Sequence, residues 1–88
     1  MKPDKLHDGP VAVLLGGNSA ERDISLQSGE TVVTALRSLD CEVRPVDPAD
    51  ADWMVQLQGV SAAFIALHGP GGEDGSVQGA LQALNIPF

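Results

Sequence analysis

Two hydrophobic periods alternate along the chain. Short apolar runs at 11–15 (VAVLL), 42–46 (EVRPV) and 62–67 (AAFIAL) each give way to stretches in which apolar residues recur every three or four positions. The first and third runs are apolar throughout, as expected of parallel strands covered on both faces. The second is less apolar and is stopped by Asp47-Pro48, because the residue before a proline is driven towards extended geometry. In the first helical stretch, from residue 23 or earlier to about 39, Gly29, Val32, Val33, Leu36 and Leu39 share one face at i, i+3, i+4, i+7 spacing. Ser19 or Asp23 stands where a cap is needed, and Gly29 in mid-helix suggests a close approach to the sheet. In the last helical stretch, 76 to 84, Val77, Ala80, Leu81 and Leu84 form the apolar face, and Asp74 stands at the N-cap position. A weaker segment over 52–58 has Trp53, Met54 and Leu57 as its apolar side, with Trp53 read as a packing anchor.

Strand followed by helix, three times over, predicts an α/β fold: a parallel sheet between two helical layers, with right-handed crossovers. Placing the two most apolar strands side by side gives the order 2-1-3, with a fourth strand opening at Pro87. The ten residues MKPDKLHDGP have little to bury and read as a flexible leader, His7 included; 11–88 read as one domain. A chain that stops at Ile86-Pro87-Phe88, on the apolar opening of a strand, reads as part of a longer protein, and the open sheet edge invites self-association.

Charge and composition narrow the function. Twelve acids against five bases give a formal net charge of -7, which argues against nucleic acid or an anionic membrane as partner. No apolar run approaches the roughly 18 residues of a spanning helix. The single Cys41 excludes an internal disulfide and fits a reducing, cytoplasmic setting.

The chemistry gathers at two glycine turns that follow the two apolar strands. In an open α/β sheet, ligands bind beyond the carboxyl ends of the strands, at the switch point in strand order. That position is taken by GGNSAERD (16–23) and HGPGGEDG (68–75). Gly16-Gly17 permits a sharp turn, but GGNSAE is neither the G-x-G-x-x-G dinucleotide fingerprint nor a P-loop, which needs Gly-Lys-Ser/Thr. Glu21, beside Arg22 and Asp23, reads in two ways: a carboxylate for a small cationic group, or a charge that favours the helix N-terminus. His68 likewise reads as an acid–base or hydrogen-bonding group near a reacting atom, or as a pin for the glycine loop. Glu73 and Asp74 read as loop brace and helix cap; with His68 they match no recognised metal-ligand spacing. Four glycines in the loop predict high mobility there.

Taken together, LLGGNSAERDISLQSG and FIALHGPGGEDGSVQGALQALNIPF, with VDP closing the strand between them, resemble the amino-terminal domain of bacterial D-alanine–D-alanine ligase over residues 11–88. Asn18 stands where threonine is more usual, and residues 1–10 are unmatched. The resemblance implies a Rossmann-like domain that precedes ATP-grasp domains. It implies an enzyme that joins two D-alanines for peptidoglycan synthesis in the cytoplasm, using ATP and Mg2+ (or Mn2+) held by domains beyond this chain. The first D-alanine is activated as an acyl phosphate and attacked by the amine of the second. By the same resemblance Glu21 binds the first D-alanine's ammonium, Ile24 is an apolar neighbour, and His68 lies near the reacting carboxylate. Gly16 and Gly17 bring the backbone close, and the enzyme is a homodimer. No lysine pair or acidic cluster for Mg-ATP is present here, so the chain alone is expected to be inactive. Two rival readings are another ATP-grasp amino-acid ligase and a non-catalytic flavodoxin-like binding module.

Overall fold

The structure, a computed structural model, describes residues 9–68 and 75–88. Three parallel strands, β1 (Val11–Leu14), β2 (Val43–Val46) and β3 (Ala62–Ile65), form a sheet in the order β2-β1-β3. Val11 is in register with Val43 on one side and Ala62 on the other. The expected strand order is therefore found, and every residue of β1 is buried, as a central strand demands. Pairing continues past the strand ends, where Leu15 N–H donates to the Val46 carbonyl and Ala66 N–H to the Leu14 carbonyl. Outside β3, Ala63 N–H donates to the Pro87 carbonyl at 2.8 Å, so the segment after the last helix begins to line that edge.

The pleat sends alternate side chains to two apolar layers. On one face Ala12, Leu14, Val46 and Ala63 pack with Val77 and Leu81 of α2 (Ser76–Ala83), with Leu57, and with Ile86 beyond the helix. On the other, Val13 and Ala66 pack with Val33 of α1 (Arg22–Ser38). Leu81 and Val33 are almost fully buried, and each such burial is worth about 1.5–3 kcal/mol. The expected core faces hold for Gly29, Val33, Val77, Leu81 and Leu57.

The faces end sooner than the periodicity suggests. Leu39, Met54 and Leu84 were expected inside and are 64%, 51% and 47% exposed. Leu39 and Leu84 are the C-cap residues of α1 and α2, where the chain has already left helical phase. Met54 precedes a single 3₁₀ turn, Val55–Leu57, that occupies the segment read as a short helix; only Leu57 of that turn points inward.

Both helices stop in the same way, and α2 does so before it reaches Pro87. Asp40 (φ 62°) and Asn85 (φ 59°) adopt left-handed backbone just beyond the caps. Asp40 N–H donates to the Arg37 carbonyl and Cys41 N–H to Leu36; Asn85 N–H donates to Gln82 and Ile86 N–H to Leu81. This is the Schellman arrangement, which satisfies carbonyls that a helix end leaves free. In α2 the buried Ile86 and Leu81 supply its apolar contact.

Gly29 explains itself in the packing. A Cβ there would lie 2.6 Å from Leu15 Cδ1 and closer still to Leu15 Cβ, so α1 crosses the end of β1 without room for a methyl group. At the other end, Gly9 and the buried Pro10 are held against the start of β3, with Ser61 N–H donating to the Pro10 carbonyl and Ser61 Oγ to Gly9. His7, Glu73, the expected Asp74 cap and the expected loop mobility lie outside the described residues; the N-cap of α2 is Gly75, in left-handed backbone at φ 88°.

Candidate functional site

Beyond the carboxyl ends of β1 and β3, three serines and one aspartate hold the chain in place. Ser25, one turn into α1 and fully buried, accepts the Gly16 N–H at 2.8 Å and donates to the Ala66 carbonyl at 2.6 Å. One hydroxyl thus joins the end of β1 to the end of β3. Ser19 makes a second join nearer the surface: its Oγ donates to the His68 carbonyl at 2.9 Å and accepts the Glu21 N–H at 3.1 Å. It therefore caps the entry to α1 from two residues before the N-cap, Glu21, which makes no side-chain cap of its own. Ser28 Oγ lies 3.3 Å from His68 Nε2, and the imidazole is thereby held towards α1.

Asp47 secures the glycine turn from the side of β2. Its Oδ1 accepts the N–H groups of Gly17 (3.0 Å) and Ala49 (2.9 Å), and its Oδ2 lies 2.8 Å from Arg22 Nη1. Arg22 Nη1 also donates to the Gly17 carbonyl at 3.0 Å. Partial burial pushes the Asp47 carboxyl up, but the hydrogen bonds from Gly17, Ala49 and Arg22 outweigh it and hold it below the ordinary carboxylate range. Gly16, in left-handed backbone at φ 89°, passes so close to this carboxylate that a Cβ would meet its atoms at 2.6–2.8 Å. Glycine is required there by both conformation and space.

A cavity of about 210 Å³ opens beside the turn, walled by Gly16, Gly17, Asn18, Pro48, Trp53, Leu67, His68, Ser76 and Val77. Gly16, Gly17 and His68 thus come together as expected. Glu21 and Ile24 do not line this cavity; both are exposed at the start of α1. Trp53 packs against the core, as anticipated, and also forms part of the cavity wall. Neither Glu21 nor His68 is sealed inside the sheet: Glu21 is exposed and His68 half-buried.

The described residues do not fit an ATP–magnesium site. The N–H groups of Gly16 and Gly17, which a glycine turn can offer to a phosphate, are occupied by Ser25 and Asp47. Among the described residues no group of three or more His, Cys, Asp or Glu side chains is arranged to hold a metal ion.

These features define a class: an open parallel α/β domain whose polar groups gather at the β1/β3 switch point, the place where such sheets bind small ligands. No family model matches the chain. The ligases named next do match it. The D-alanine–D-alanine ligase of Nitrosospira multiformis is 58% identical over 84 residues, which is 93% of this chain and 28% of that protein. That of Polaromonas naphthalenivorans is 53% identical over 89 residues, 100% of this chain and 27% of that protein. A crystal structure of D-alanine–D-alanine ligase from Bacillus anthracis complexed with ATP superposes with a TM-score of 0.80 at 33% identity, covering 91% of this chain and 28% of that one. The chain belongs to the D-alanine–D-alanine ligase family, as its amino-terminal portion, and spans little more than a quarter of the length of these relatives. No helix among the described residues is long and apolar enough to cross a membrane.

Proposed function

We propose that this chain forms one wall of the first D-alanine site in a D-alanine–D-alanine ligase that serves peptidoglycan synthesis in the cytoplasm. The Glu21 carboxylate pairs with the ammonium of the first D-alanine, an ion-paired contact of about 2.7–2.9 Å. His68 approaches the carboxylate that is to react, and donors there stabilise charge on it. Ile24 supplies an apolar neighbour for the methyl group, and Gly16 and Gly17 let the backbone come near. ATP and Mg2+ (or Mn2+) belong to parts of the longer protein that this chain does not span. That protein works as a homodimer, with D-alanine and its own remaining domains as the partners of this wall.

One observation carries the reading. The Ser19 hydroxyl bonds both the Glu21 N–H and the His68 carbonyl, so the two residues are one side chain apart across the top of adjacent strands. An amino acid needs an anion for one end and donors for the other, and this junction supports that pairing. The test is Glu21→Gln in the full-length ligase. The expected result is a KM for the first D-alanine raised about tenfold or more, from the loss of one charge-assisted bond. An unchanged KM would overturn the assignment.

A further inference from the structure

Arg22 follows Glu21 directly in the sequence, yet its guanidinium is engaged elsewhere. Nη1 sits 2.8 Å from Asp47 Oδ2 and 3.0 Å from the Gly17 carbonyl. Asp47 is itself fixed at the end of β2 by the N–H groups of Gly17 and Ala49, with its side chain only 18% exposed. Among the described residues the Glu21 carboxylate has no hydrogen-bond or ion-pair partner. Of two opposite charges on consecutive residues, one is neutralised from another strand and the other is left open.

This division has an electrostatic consequence. A guanidinium released from Asp47 stays tethered beside Glu21, and its planar fork pairs readily with carboxylates. It then competes with any ammonium that Glu21 binds. We propose that Asp47 is a positioning residue for amino-acid binding: by holding Arg22 against the Gly17 carbonyl, it keeps the Glu21 carboxylate available to an ammonium group. The proposal rests on the reading of Glu21 given above. Asp47 acts only through Arg22 and touches no substrate.

Asp47→Asn in the full-length ligase tests it, because asparagine keeps an oxygen for the Gly17 and Ala49 N–H groups while removing the charge. The expected result is a KM for the first D-alanine raised about tenfold by the competing charge, with kcat changed by less than about twofold. Adding Arg22→Gln to Asp47→Asn removes the competitor and should return KM to within about threefold of the parent. A purely bracing role predicts the reverse, since the second substitution weakens the turn further; a deeper loss in the double variant overturns the proposal. If Asp47→Asn does not fold, Arg22→Gln alone decides: an unchanged or lowered KM supports the proposal and a tenfold rise overturns it. Glu21→Gln measured alongside separates the two levels. If it leaves KM unchanged, the reading of Glu21 fails and this proposal with it. If it raises KM but rescue fails, only the role of Asp47 is lost.

Discussion

Replacing Ser25 with alanine tests the join between β1 and β3. The hydroxyl is wholly buried and makes two short bonds, from the Gly16 N–H at 2.8 Å and to the Ala66 carbonyl at 2.6 Å. Alanine occupies nearly the same space, so the cavity cost is small. What remains is two buried backbone groups without partners, each costing about 1–3 kcal/mol. The sum, about 2–6 kcal/mol, stands against a total stability of about 4–13 kcal/mol for 88 residues at the usual value per residue. Urea unfolding followed through the fluorescence of Trp53, the single tryptophan, measures it directly. With a slope near 1 kcal/mol/M, the midpoint should fall by about 2 M or more while the slope stays the same. Ser28→Ala gives the comparison: its hydroxyl makes one longer contact in a partly buried setting, and its loss should cost under about 1 kcal/mol. If Ser25→Ala shifted the midpoint by less than about 0.5 M, the two backbone groups would have found other partners and the strand ends would not depend on this hydroxyl.

Gly29→Ala should destabilise the chain by about 1–2 kcal/mol in thermal unfolding, because overlap with Leu15 outweighs a helix-propensity gain of up to about 1 kcal/mol. Asp47 has a lowered folded-state pKa, so its contribution is complete above the ordinary value of 3.8 and is lost as pH falls through the lowered one. Acid unfolding curves of the parent and Asp47→Asn should therefore converge in that window below pH 3.8 and differ above it. The 88-residue chain incubated with ATP, magnesium and D-alanine should release no phosphate above background, and release would show that a complete site is present.

Much of the fold was legible because it depends on hydrophobic period, which is local. The strand order followed from the unbroken apolar runs at β1 and β3. Placement failed at Leu39 and Leu84, where side chains keep the helical spacing after the backbone has left it, and at Met54, which stands before a 3₁₀ turn too short to carry a helical face. The stop signals were present as Asp40 and Asn85, residues that tolerate left-handed backbone, and went unread. The candidate site residues were picked by type and position; the structure brings Gly16, Gly17 and His68 to one cavity and leaves Glu21 and Ile24 exposed outside it. Ser25 and Asp47 were harder, because their roles exist only across strands. A serine on a helix is ordinarily exposed, and nothing in its neighbours marks it as a link to Ala66. One signal was available: Ser25, Gly29 and Val33 lie at i, i+4, i+8, and all three are buried. Asp47 could likewise have been found from the parallel register, since Leu14 pairs with Val46 and the next residue of β2 must fall beside the glycine turn.

The single hydroxyl of Ser19 serves two masters, the amide that starts α1 and the carbonyl that follows β3. One side chain therefore ties the carboxylate-bearing segment to the imidazole-bearing one, through two bonds worth about 0.5–1.5 kcal/mol each. To part the two segments, an occupant would have to break at least one of these bonds, so the entrance to α1 and the exit from β3 share a common tether.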